Sequence, residues 1–274
     1  MSTLLQISDP HFGNEQAPVV EALVALARAE RPDLVVLSGD ITQRARPRQF
    51  QAARAFVDRL GAPCLAIPGN HDIPLFDLAS RVFTPYARFS KVFGNELEPE
   101  HESADLLVLC VNTTRPWRHK DGEVSAAQIE RVAQRLERAR TEQLRVVVVH
   151  QPIEVLRRED RHDRLHGHAA AQKAWAAAGA DLVMGGHIHL TFAAPLPGLA
   201  REMWVVQAGT AVSSRVRDGQ PNSVNLLRWN GSAAAEGWSI ERWDFAAARQ
   251  AFECVERKRA RLGVSSIGRS AARG

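Results

Sequence analysis

The sequence predicts an α/β fold in which a parallel sheet gives way to an antiparallel carboxyl-terminal meander. Apolar runs of strand length alternate with amphipathic helical stretches from residue 4 to about residue 190. Each of the main runs ends in a carboxylate, amide or imidazole. After His189 the helical stretches stop, and strand-like runs follow one another through Gly, Asn and Pro turns.

In chain order, residues 4–7 form the first strand. Residues 19–30 follow as a helix with Val19, Val20, Leu23, Leu26 and Ala27 on one face, closed by Pro32-Asp33. Residues 34–38 form the second strand, 48–60 a helix with Phe50, Ala53, Phe56, Val57 and Leu60 inward, and 64–67 the third strand. Residues 73–103 interrupt the rhythm. They hold Phe76, Phe83, Phe89, Phe93 and Tyr86, and read either as an inserted cap beside a site or as a plain helix packed on the body.

Residues 106–111 are a further strand. Ser125-Ala126-Ala127-Gln128 is a capping box that opens a helix to about Arg140. Residues 146–150 and 182–184 are strands on either side of an Ala-rich helix, 169–178, which Gly179 ends. Residues 203–207, 223–229 and 237–243 form the meander. Phe245, Ala248, Phe252, Val255 and Leu262 then mark a final amphipathic helix, and 263–274 is a small, polar, basic tail expected to be disordered. The expectation is one domain over residues 1–262, without repeats or linkers.

Bulk properties narrow the function. At 274 residues, 45% hydrophobic and 24% charged, this is an ordinary globular composition. The start has no basic region leading into an apolar core and no run approaches membrane-spanning length, so a cytoplasmic protein is expected. Cys64, Cys110 and Cys254 are few and scattered, and read as reduced packing residues. The net charge of +4 comes from residues 255–274, which carry six basic residues and one acid. The rest is close to neutral, and a nucleic-acid groove is not expected.

The chemistry sits where the strands end. The runs at 4–7, 34–37, 64–67, 146–149 and 182–184 lead into Asp9-Pro10-His11, Gly39-Asp40, Gly69-Asn70-His71-Asp72, His150 and Gly186-His187-Ile188-His189. Parallel strands place all their carboxyl ends on one edge, where open α/β sheets bind ligands. These residues should therefore converge. Imidazole and carboxylate donors without thiolate suit Mn, Fe or Zn. His101, His119, His162, His166 and His168 fall in loop-like stretches and read as solvated. The charged run 154–168 follows His150, and reads as a solvated loop or as a contact for substrate phosphate.

Taken together, these motifs resemble the calcineurin-like metallophosphoesterase superfamily over residues 4–190, and are closest in kind to the bacterial enzymes like class III cyclic-nucleotide phosphodiesterases. The resemblance implies a four-layer α/β/β/α sandwich of two mixed sheets and two divalent transition-metal ions, Mn, Fe or Zn. It puts Asp9, His11 and His189 on one ion and Asn70, His150 and His187 on the other, with Asp40 bridging. Two ions about 3.5–4 Å apart activate a shared water and clamp an in-line displacement at phosphorus. The equivalent of His71 stays off the metals and faces the leaving oxygen, as a general acid would. Asp72 orients that ring or supports the loop.

The activity implied is hydrolysis of a small phosphodiester such as a cyclic nucleotide. A hydrolase of the UDP-diacylglucosamine kind is the alternative, for which the aromatic segment and the carboxyl-terminal helix would suit a membrane-surface substrate. Arg44 and Arg46 do not reproduce the arginine arrangement of the protein phosphatases. A DNA nuclease is disfavoured by the near-neutral body. A scaffold is disfavoured because every ligand position is filled.

Overall fold

The computed structural model describes residues 2–231 and 237–262. The first part repeats strand–helix–strand: β1 (Ser2–Ile7), α1 (Ala17–Glu30), β2 (Leu34–Ser38), α2 (Pro47–Asp58), β3 (Cys64–Ile67). Two short helices follow, α3 (Leu78–Phe83) and α4 (Ala87–Phe93). Then come β4 (Glu100–Glu102), β5 (Leu106–Cys110), α5 (Ala126–Glu137), β6 (Leu144–Val148), α6 (His168–Ala177) and β7 (Leu182–Gly185). The chain continues through β8 (Phe192–Pro195), β9 (Trp204–Gln207), β10 (Ser223–Trp229), β11 (Trp238–Ala246) and β12 (Ala251–Ala260).

The strands form two six-stranded sheets, ordered β12-β11-β10-β1-β2-β3 and β4-β5-β6-β7-β9-β8. Strands β1, β2 and β3 are parallel, as are β5, β6, β7 and β9, and the remaining pairings are antiparallel. Alternation along each strand divides the core. Leu5 and Ile7 of β1 pack under α1 and α2. Val147 of β6 packs under α5 and α6 with Trp175. Leu4, Val36, Val146, Val148 and Met184 fill the seam between the sheets. The order is helices, sheet, sheet, helices, which is the four-layer sandwich the resemblance implied.

Local chemistry sets the helix ends. Pro lies in the first turn of both α1 and α2, where its missing N–H costs nothing. At α5 the Ser125 side chain accepts from Gln128 N at 3.2 Å, and Gln128 returns an acceptor to Ser125 N at 3.0 Å.

Two expectations are corrected. The stretch 245–262 is not a helix: it completes β11 and forms β12, paired from Trp238↔Ala260 to Ala246↔Ala251. The apolar spacing suited a helix, but the ladder to β11 supplies backbone partners along the whole strand, and Phe252 drops into the helix-side core. A membrane contact through a carboxyl-terminal helix falls with it. Strand β9 does not belong to the meander, which is β10-β11-β12; it lies parallel to β7 in the other sheet.

The segment 73–103 divides. In α4, Phe89 is buried and its ring meets Phe50 and Phe93 with centroids 6.3 and 5.3 Å apart. Helix α3 buries none of its residues. The loop 154–168 is partly folded back, with Asp160 buried. Cys64 is half-buried, Cys110 buried and Cys254 exposed, all unbonded. No helix among the described residues is long and apolar enough to cross a membrane. The basic tail, 263–274, lies outside the described residues.

Candidate metal centre

The carboxyl ends of the parallel strands of both sheets meet at one edge, and the hydrogen-bond ladder runs on into the loops. Asp9 N donates to Gly39 O and His11 N to Asp40 O, both at 3.1 Å, while Gly186 N donates to His150 O at 2.9 Å. Each of these loops begins where the sheet stops, so every motif is delivered to the same place.

The backbone there is unusual. Asp9, His11, Asp40, His187 and His189 all have positive φ, between 44° and 74°. Non-glycine residues adopt this left-handed region at a cost of order 1–3 kcal/mol, and they concentrate at functional sites. His187 and His189, two residues apart, both adopt it. The two imidazoles do not lie side by side: His189 joins Asp9 and His11, and His187 joins Asp40 and His150.

The donors form three interlocking groups: Asp9, His11 and His189; His11, Asp40 and His71; Asp40, His150 and His187. Asp40 spans them. Its Oδ1 lies 3.3 Å from His150 Nε2 and its Oδ2 3.8 Å from His11 Nε2. Asp9 Oδ1 is 3.3 Å from His189 Nε2, and Asn70 Oδ1 is 3.3 Å from His150 Nε2. Every metal-ligand position read from the sequence is thus in one cluster.

Ring orientations are fixed by carbonyls behind the site. His150 Nδ1 donates to Ser38 O at 2.9 Å and His189 Nδ1 to Arg215 O at 2.6 Å, which turns both Nε2 atoms inward. Fit to a cation is visible in two places. Asp9 Oδ1 is buried with no hydrogen-bond partner. His11 Nε2 and His189 Nε2 approach to 3.1 Å. A cation drawing on all three would satisfy these atoms.

Electrostatics agree. Burial alone would raise the carboxyls of Asp9 and Asp40, but the surrounding imidazoles, His189 and His150 foremost, hold both below the usual carboxylate range. Burial pulls His150 down, yet the Asp40 carboxylate outweighs it and sets the imidazole at about 9. Burial dominates at His11, lowering it to about 3.

Space is as tight as charge. Gly39 has φ +93°, and a Cβ there would stand 2.3 Å from His150 Nδ1. A Cβ at Gly69 would stand 2.0 Å from Asp40 N. Glycine lets the strand ends approach closely enough to share one cluster.

His71 stands beside the donors. Its Nδ1 donates to Gln43 O at 2.9 Å, and its Nε2 faces the site, 4.0 Å from Asp40 Oδ2. Asp72 does not touch that ring. It is fully buried and accepts from Ile41 N, Thr42 N, Thr42 Oγ1 and Gly69 N at 2.8–3.0 Å, which ties the loop after β3 to the loop after β2. Burial and the Asp40 charge push its carboxyl up to about 6 against those donors.

Sequence reasoning missed Arg215. Its Nη1 lies 3.1 Å from His71 Nε2 and 3.3 Å from Gln43 Oε1, and its carbonyl orients His189. It lines a cavity of about 570 Å³ with Asn70, His119, Lys120, Asp163 and Arg217. Lys120 pairs with Asp163 at 3.2 Å and Arg217 with Asp160 at 3.0 Å. Arg215 has no carboxylate partner among the described residues. No motif marked it: the strand before it reads as part of the antiparallel meander, whereas β9 lies parallel to β7 and its end points at this same edge. Of the isolated histidines, His119 also lines the cavity.

Two stacked mixed sheets that gather carboxylate, imidazole and amide donors at their shared edge define a metal-binding phosphoesterase sandwich. The chain belongs to the calcineurin-like phosphoesterase family, whose match spans residues 2–190. It is similar to the glycerophosphodiester phosphodiesterase GpdQ of Enterobacter lignolyticus, 43% identical over 25% of this chain and 29% of that protein. It is also similar to a probable cyclic nucleotide phosphodiesterase of Synechococcus sp., 28% identical over 49% of this chain and 52% of that one. The chain thus spans about half or less of the length of these curated relatives. Among solved structures, a dimetal phosphatase from Danio rerio shares the fold, with TM-score 0.68, 13% identity, and 95% and 99% of the two chains covered.

Proposed function

We propose that this chain is a dinuclear metal-dependent phosphodiesterase acting on a small phosphodiester. One observation carries the reading: the two carboxylate oxygens of Asp40 face two separate donor groups, His150 on one side and His11 on the other. Asp9, His11 and His189 would hold one divalent ion and Asn70, His150 and His187 the other, with Asp40 shared. When bound, such ions supply Lewis acidity to the phosphoryl oxygens and a water acidic enough to attack near neutral pH.

The chain's own residues do the rest. Ser38 O and Arg215 O hold the two imidazoles with Nε2 turned to the site. Arg215, lacking a carboxylate partner among the described residues, meets the anionic diester in the cavity. His71 Nε2 protonates the leaving oxygen as its bond to phosphorus breaks and the bond to water oxygen forms. Asp72 positions His71 by joining the two loops.

The relatives named for glycerophosphodiester and cyclic-nucleotide hydrolysis support a small diester as substrate. The test is a screen of Mn-loaded protein against cyclic AMP, bis-p-nitrophenyl phosphate, a glycerophosphodiester, a UDP-lipid and single-stranded DNA. Turnover of the small diesters, abolished by chelation and restored by Mn, is expected. Turnover of none of them, or turnover indifferent to chelation, would overturn the reading.

A further inference from the structure

Eight large apolar side chains stand exposed among the described residues, and five of them come from two segments, 76–83 and 117, that Arg81 joins into one rim. Phe76, Leu78, Val82 and Phe83 come from α3 and the residues before it, and Trp117 from the loop after β5. Phe76 is 81% exposed, Phe83 82% and Trp117 74%. Arg81 ties the two segments together, donating to Arg118 O at 3.0 Å and Pro74 O at 3.3 Å. A sixth, Val216, lines the metal-site cavity itself.

The rim borders the site. Leu75, next to Phe76, lines a recess shared with Asn70, His71 and His119. Arg44 lines the same recess, with its guanidinium 5.6 Å above the Phe76 ring. Helix α3 buries none of its residues, so its apolar side chains add nothing to the core. Keeping such side chains in water carries a cost that folding does not recover, and an exposed cluster of this kind marks a docking surface.

The charge says what docks. Arg44 and Arg46 are exposed, and neither pairs with a carboxylate among the described residues. Arg88 holds their loop against the rim by donating to Ala45 O at 3.2 Å. Apolar and aromatic side chains with an unpaired guanidinium stacked over Phe76 and a second, Arg46, on the same loop suit a surface with anionic headgroups over hydrocarbon. A second copy fits less well, because pairing rim on rim would gather two sets of unpaired cations in one interface. The last described residue, Leu262, follows β12 at the opposite end of the sheet from the site, so the chain's own tail does not leave from this face.

We infer that the rim seats the metal-site face on an anionic lipid surface, so that the diester reaching the cavity is carried by a lipid. The substrate class rests on the phosphodiesterase reading; the docking does not. The test is therefore made on full-length, metal-free protein, by cosedimentation with vesicles of phosphatidylcholine alone or mixed equally with phosphatidylglycerol. Anionic vesicles should pellet at least about tenfold more protein than neutral ones, and the triple variant F76S/F83S/W117S should lose about tenfold of that binding. Its Mn-dependent turnover of soluble bis-p-nitrophenyl phosphate should match wild type. Bromine-labelled acyl chains should quench wild-type tryptophan fluorescence, and less so that of Trp117→Phe. Absence of binding to either vesicle, or equal binding by the triple variant, would overturn the inference. So would a wild-type dimer that the triple variant converts to monomer, since the rim would then be covered by a second copy.

Discussion

Arg215 points a guanidinium nitrogen at Nε2 of His71 from 3.1 Å, while the opposite ring nitrogen donates to Gln43 O. An arginine can only donate, so Nε2 is the accepting nitrogen of a neutral ring in this arrangement. For His71 to serve as acid, the substrate must draw Arg215 onto its own anionic oxygen and leave Nε2 to carry the proton.

His71→Ala should therefore keep its metal and lose kcat by a factor on the order of 10²–10⁴, as removal of a positioned acid does. The loss should shrink as the leaving group becomes more acidic, least with a p-nitrophenolate ester and most with an alkyl ester. A leaving-group series on wild type and variant checks it. An equal loss across the series, with metal retained, would assign His71 to the phosphoryl group or the fold instead.

Arg215→Gln should raise KM for a diester more than it lowers kcat, because it removes a cation that meets the substrate while keeping a side-chain donor. The metal content should hold, since His189 is oriented by the backbone carbonyl of residue 215 and not by its side chain. Steady-state kinetics with metal analysis decide it; unchanged KM would contradict the role.

Asp72→Ala should destabilise the fold as well as slow turnover. It strips the acceptor from buried donors at Ile41, Thr42 and Gly69, and an unsatisfied buried donor costs about 1–3 kcal/mol. Chemical denaturation should show the loss in metal-free protein. Full stability with impaired turnover would move Asp72 from supporting the loop into the chemistry.

Metal uptake should release protons. Asp40 holds His150 protonated up to about pH 9, and a divalent ion has to displace that proton to reach Nε2. Apparent Mn affinity should rise with pH towards that value and level off above it. Titration calorimetry in two buffers of different ionisation enthalpy counts the protons; a heat independent of buffer would show that none leaves.

The site was legible because its logic is local. Leu34–Leu37 and Val146–Val149 are short β-branched and aliphatic runs that suit a buried strand, and Asp40 follows the first after Ser38-Gly39 while His150 follows the second directly. The topology then does the gathering. What was not legible depends on partners far along the chain. Residues 251–260 carry Glu, Arg and Lys, good helix formers, and no Gly, Pro or Asn marks the turn at 247–250. Pairing with β11 decides for strand, with Gln250 at φ 51° turning the chain. Those same charges suit an edge strand, where they discourage further pairing. Arg215 carries no motif, and its place beside His71 follows only from β9 lying parallel to β7.

The central claim is that Asp40 joins two metal positions, and Mn binding to the purified chain tests it most directly. Equilibrium dialysis against saturating Mn, followed by elemental analysis, should return two ions per chain for wild type. It should return fewer than two for Asp40→Ala, in protein whose circular dichroism is unchanged. A wild-type chain that binds one ion or none, or an Asp40→Ala variant that still binds two, would contradict it.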